Sequence, residues 1–181
     1  MISISEQGIA IVLRGPPGAG KTPIAEELRS RLTLSSAFVR LDDGWCAGEQ
    51  RFLGQARYND LHDPAAVLIV ELGWGEPNPP SFFGATMNPA EWVAVLKADR
   101  RRVFMFLLWT PLSETLARKT GRMDLAYATQ AHGKYDQGNA CSSPAFLARL
   151  GGCYYETMIY TSTQTVNETA AQILRSVGLC P

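Results

Sequence analysis

Hydrophobic positions along this chain follow two patterns. Ile9-Ala10-Ile11-Val12-Leu13, Ala66-Val67-Leu68-Ile69-Val70 and Val103-Phe104-Met105-Phe106-Leu107-Leu108 are unbroken apolar runs, the form taken by strands covered on both faces of a parallel sheet. Ala37-Phe38-Val39-Arg40-Leu41 and Tyr155 to Thr161 read as a second and a fifth strand, short and bounded by polar residues. Between these runs the apolar spacing becomes helical. Ile24, Leu28 and Leu32 line one face of a helix that runs to about Leu34, where Ser35-Ser36 punctuates it. Asn88 caps a helix with Pro89 in its first turn and Trp92, Val95 and Leu96 as its apolar face, and Arg100-Arg101-Arg102 closes it as a solvated end near the negative pole of the dipole. Thr110-Pro111 opens a helix carrying Leu112 and Leu116, which ends near Arg118 to Arg122. Pro144 to Leu150 form a further short helix. The last helix starts at the capping box Thr165-Val166-Asn167-Glu168, faces the core through Val166, Ala170, Ile173 and Val177, and stops at Gly178. Strands alternating with helices predict a three-layer α/β fold around a five-stranded parallel sheet.

The interruptions in this pattern are also informative. Residues 45–63 are polar with scattered aromatics and read as a short helix with loops. Leu72 to Phe83 is too rich in Gly and Pro for regular structure, and the loop of about 16 residues that contains it carries Trp74, Phe82 and Phe83. A connection that long favours a binding role. From Thr120 to Ser142 the sequence is polar and Gly-rich, as a mobile segment would be.

A length of 181 residues suits one domain with its own core, here residues 1–181. Lys and Arg total 17 and Asp and Glu total 17, so no global charge attracts nucleic acid or an anionic membrane, although a local basic groove is compatible with that balance. No apolar run approaches the roughly 18 to 20 residues that span a bilayer, and Met1 to Glu6 lacks a basic leader region, which places the expected location in the cytoplasm, off the membrane. Cys46, Cys141, Cys153 and Cys180 are widely spaced with no C-x-x-C, so free thiols are expected, and His62 and His132 do not complete a zinc site with them.

The chemistry centres on Gly15-Pro16-Pro17-Gly18-Ala19-Gly20-Lys21-Thr22, a full match to G-x-x-x-x-G-K-[ST] set between a strand and a helix. Glycines let the backbone curl so that its N–H groups point at phosphate, and the helix that follows adds the positive end of its dipole. Lys21 is positioned as a cation for the β- and γ-phosphates, and the Thr22 hydroxyl as a Mg²⁺ ligand. Pro23 is tolerable because first-turn N–H groups have no intrahelical partner. Asp42-Asp43-Gly44 ends the second strand at the sheet edge where open α/β sheets bind ligands. Glu71 follows a buried strand, the place of an acid that holds Mg²⁺ or its water. Asp43, Trp45, Arg51, Arg57 and Trp74 complete the candidate substrate-holding set.

Together these features resemble the small P-loop kinases, a group that includes chloramphenicol phosphotransferase, the zeta toxins, polynucleotide 5′-kinase domains and the gluconate and shikimate kinases. The resemblance rests on the phosphate loop, Asp42, the arginines Arg118 and Arg122 at the start of a lid (about 118–142), and the ending Tyr155-Glu156-Thr157-Met158-Ile159-Tyr160-Thr161. It implies a strand order of 2-3-1-4-5 and transfer of the ATP γ-phosphoryl group, with Mg²⁺, to a hydroxyl of a small molecule or nucleotide-like acceptor. It further implies that Lys21, Arg118 and Arg122 supply positive charge and that Asp42 accepts the proton, with Asp43 as its alternate. Glu71 stands where many members have Asp, and Pro23 is atypical. Two other readings follow from the same motifs: a kinase acting on a nucleic-acid hydroxyl, at a 5′-end or a hydroxymethylated base of DNA, and a nucleotide-binding switch with no acceptor. Asp42-Asp43 argues against the switch, which needs no acid there.

Overall fold

The computed structural model describes residues 8–40, 66–71, 96–97, 101–118, 125–126, 128–129, 132 and 156–179. Its elements are β1 (Ile9–Arg14), α1 (Lys21–Arg31), β2 (Ser36–Arg40), β3 (Val67–Glu71), β4 (Arg102–Trp109), α2 (Leu112–Arg118), β5 (Glu156–Tyr160) and α3 (Val166–Val177). Among the described residues the strands form one parallel sheet in the order β2-β3-β1-β4-β5. This is the expected order, with β1 at the centre and buried at every position.

Strand alternation sorts the core into two faces. Ile9, Ile11 and Leu13 point with Val67, Ile69, Phe106, Leu108 and Ile159 toward α1 and α3, where Ile24, Ala25 and Leu28 meet Ala170, Ile173, Leu174 and Val177. Ala10 and Val12 point the other way with Val39, Leu68, Val70 and Met105, onto Leu96 of the helical residues 96–97. Each fully buried aliphatic side chain contributes about 1.5–3 kcal/mol by leaving water. The two faces therefore hold β1 rigidly, and with it the loop that follows.

Several expectations need correction. α1 ends at Arg31, because Leu32 turns extended (φ −78°, ψ 126°) and its N–H bonds the Arg29 carbonyl. β-branched Thr33 gives the chain little reason to stay helical on its way into β2. Of the arginine run, Arg100 lies outside the described residues, and Arg101 and Arg102 do not form a solvated helix end. Arg101 is buried, and Arg102 opens β4, exposed, with its guanidinium 5.1 Å from the centre of the Phe104 ring. In α3, Val166 is exposed and Thr169 and Leu174 are buried, since N1 of the helix lies outside the stripe that faces α1. In α2 the buried residue is Thr115, not the leucines. Within the stretch read as a polar mobile segment, residues 125–126, 128–129 and 132 are helical, and Ala128 and His132 are buried one turn apart.

Candidate active site

The site forms where β1 runs out. After Arg14 the backbone turns at Gly15 (φ 145°), where a Cβ would stand 2.2 Å from the Leu108 carbonyl oxygen of β4, so only glycine lets the loop lie this close to the sheet. Gly18 (φ 83°) curls the loop toward α2, and a Cβ there would meet the Thr115 methyl at 3.0 Å. No side chain caps α1 at Gly20, and the first helical bond runs from the Ile24 N–H to the Gly20 carbonyl. The leading N–H groups and the dipole of an eleven-residue helix thus open onto the concave side of the loop. Pro23 sits at N3, a position whose N–H has no acceptor within the helix.

Lys21 is buried and folds back over the loop, its Nζ donating to the carbonyls of Gly15 (3.0 Å) and Pro16 (3.4 Å). Thr22, the next residue, points to the sheet edge. Its Oγ1 lies 3.0 and 2.9 Å from the two carboxylate oxygens of Glu71, to which it donates its one proton in bifurcated fashion. Strand alternation explains the meeting. Val67, Ile69 and Glu71 share one face of β3, the first two pack into the core beneath α1, and the third reaches the helix start at Thr22. Glu71 is the last residue of β3 rather than the residue after it, and it is 4% exposed. A hydroxyl and a buried carboxylate are hard oxygen donors, a set that fits Mg²⁺ and not a soft metal.

The opposite side of the loop is held by α2 and by the end of β5. The Arg118 guanidinium donates to the carbonyls of Gly18 (3.3 Å) and Thr161 (2.9 Å), and to Glu114 one turn back (3.1 Å). Buried Thr161 donates its hydroxyl to the Ala19 carbonyl (2.9 Å), with the Trp109 carbonyl 3.2 Å away, and gives its N–H to that same Trp109 carbonyl at 2.8 Å. Beneath the loop, Arg14 pairs with Glu156 at 3.0 Å, with both side chains almost fully buried. Pairs of this kind are costly to break, about 3–5 kcal/mol when one partner is lost, so this one ties the loop's root to β5.

The structure therefore brings together the whole loop from Gly15 to Thr22, Glu71 and Arg118. Asp42, Asp43, Trp45, Arg51, Arg57, Trp74 and Arg122 lie outside the described residues. Sequence reasoning missed the Arg14–Glu156 pair and the contact between Thr115 and His132 (2.9 Å). An arginine closing an otherwise apolar central strand was a usable signal for the first. The spacing of Ala128 and His132, one helical turn, was a weak signal for the second.

No protein-family model matches the sequence, and no curated protein does. Solved structures do. The chain is similar to a tunicamycin resistance protein of Deinococcus radiodurans (TM-score 0.61, 19% identity, covering 96% of this chain and 98% of that one). It is also similar to the YorR protein of Bacillus subtilis in complex with phosphorylated GDP (0.63, 16%, 94% and 96%). A third similar structure is shikimate kinase from Acinetobacter baumannii in complex with shikimate (0.54, 20%, 95% and 94%). At these identities the likeness is one of fold, and the fold is that of the P-loop kinases.

Proposed function

We propose that the protein is an ATP-dependent kinase that transfers the γ-phosphoryl group to a hydroxyl of a small molecule or nucleotide-like acceptor. The observation that carries this reading is the contact of Thr22 with both oxygens of Glu71, one residue from Lys21 at the mouth of the loop. Thr22 and Glu71 would hold Mg²⁺, whose charge, when it is bound, offsets that of the phosphate oxygens. The loop N–H groups and the start of α1 bind phosphate. Lys21 exchanges its carbonyl partners for phosphate oxygens. Arg118, anchored at Gly18 and Thr161, holds a second positive charge at the loop's other side. Phosphoryl transfer depends mainly on such positioning and charge neutralisation. As the acceptor oxygen bonds to the γ-phosphorus, the bond to the bridging oxygen breaks, ADP leaves and the acceptor proton passes to a base, a role we assign to Asp42 from its place after β2. Shikimate and a phosphorylated guanine nucleotide, the ligands of two similar structures, support an acceptor of small size.

The test is incubation with γ-labelled ATP and Mg²⁺ against hydroxylated metabolites, nucleosides, antibiotics and oligonucleotides. Label on a small acceptor supports the proposal, label on an oligonucleotide moves the acceptor to nucleic acid, and acceptor-independent hydrolysis alone overturns the kinase reading.

A further inference from the structure

We infer that His132 is a positioning residue of the nucleotide site, acting through Thr115 to fix α2, and with it Arg118, against the phosphate loop. The inference rests on the kinase reading above. Thr115 stands between two partners. Its methyl lies against Gly18, close enough that a Cβ there would come within 3.0 Å, and its Oγ1 lies 2.9 Å from Nε2 of His132. Thr115 is 0% and His132 2% exposed, so water does not compete for this hydrogen bond. The imidazole also stands edge-on to Trp109, with ring centres 5.4 Å apart and planes at 67°, which seats it on the end of β4.

The consequence follows from helix spacing. Thr115 and Arg118 are three residues apart on α2, hence neighbours on one face, and both reach Gly18: the first by its methyl, the second by a hydrogen bond to the carbonyl. Within the described part of α2, Leu112–Arg118, the side chain of Thr115 is wedged between Gly18 and His132, and this wedge sets the rotation of the helix against the loop. A small turn of α2 would withdraw Arg118 from the Gly18 and Thr161 carbonyls together.

The test is a double-mutant cycle on binding of Mg²⁺ with the non-hydrolysed analogue AMP-PNP, measured by calorimetry on the full chain. His132→Leu keeps bulk but loses the hydrogen bond, whereas His132→Gln can place an amide group near the position of Nε2. His132→Leu should weaken binding about 5- to 10-fold, the effect of one buried hydrogen bond, and His132→Gln should stay within about 2-fold of wild type. In the Arg118→Ala background, His132→Leu should cause no further loss, because the two residues act through one contact. Thr115→Val, which keeps a methyl for Gly18 and drops the hydroxyl, should reproduce His132→Leu and serves if that variant does not fold. Additive losses from His132 and Arg118, or wild-type binding by Thr115→Val, overturn the inference while leaving the kinase reading intact. Wild-type protein that binds no AMP-PNP overturns both.

Discussion

At the scale of single residues, the site separates into groups whose loss should have different signatures. Glu71 touches Thr22 with both oxygens and is buried, so Glu71→Gln keeps shape and removes one negative charge from the pair proposed to hold Mg²⁺. Its expected effect is a several-fold rise in the Mg²⁺ concentration for half-maximal rate, read from a magnesium titration at fixed ATP. An unchanged titration curve would reduce Glu71 to a strand terminus. Lys21→Ala removes a charge that rests on the carbonyls of Gly15 and Pro16 in the loop and lies outside both apolar clusters, so transfer should vanish while circular dichroism stays that of wild type. A fully active variant would refute the phosphate-loop reading. Asp42→Asn should lower kcat by about 10²–10⁴ with little change in ATP affinity, the usual range for general acid–base assistance. A larger loss in Asp43→Asn would move that role one residue along. The Thr22–Glu71 meeting was legible in the sequence because both residues lie at element ends on faces fixed by the apolar pattern. The Thr115–His132 contact was not, because a polar, Gly-rich stretch gives no sign of which of its few apolar or aromatic positions will be buried.

At the scale of elements, α3 supports the site from outside it. Its capping box is complete: the Glu168 N–H donates to the Thr165 hydroxyl oxygen (3.2 Å), and the Thr165 N–H and hydroxyl both reach the Glu168 carboxylate (2.8 Å each). Those backbone and side-chain hydrogen bonds from Thr165 hold the Glu168 carboxyl below the usual carboxylate range. A depressed folded-state value means the stabilisation is present above the unfolded-state pKa and is lost as pH falls through the folded-state one. The gap in urea midpoint between wild type and Glu168→Ala should therefore be widest near neutral pH and narrow below about pH 4. A pH-independent gap would show that the carboxylate's charge is not involved. Thr165→Ala should cost about 0.5–2 kcal/mol at neutral pH. Parallel pairing and this capping box were legible because each depends on local pattern or a short motif, whereas the strand order came only with the resemblance to the small P-loop kinases. The places where the reading slipped, the early end of α1 and the burial of Arg101, depend on where the chain must go next and on contacts with Gly8, which no local pattern encodes.

At the scale of the whole molecule, the parallel sheet brings the phosphate loop after β1, Glu71 at the end of β3 and Thr161 after β5 to one edge, although they are far apart in sequence. Closing the loop against the ends of β4 and β5 through Gly15, Ala19 and Thr161 means that whatever fills the loop also ties these strands together. A ligand that binds only the folded state stabilises it by RT ln(1 + [L]/Kd), about 2.7 kcal/mol at 100 times Kd. For a chain of 181 residues, 1 kcal/mol corresponds to about 2–4 °C in Tm. ATP with Mg²⁺ at that saturation should therefore raise Tm by about 5–11 °C. ATP with a chelator should raise it less, because Thr22 and Glu71 would then contribute no metal bridge, and Lys21→Ala should show almost no rise. The comparison is made by differential scanning fluorimetry at several ATP concentrations, since mass action requires the shift to keep growing with the logarithm of ligand concentration. A Tm that ignores ATP at every concentration, with Mg²⁺ present, would mean that the loop does not bind the nucleotide and that the fold serves another ligand.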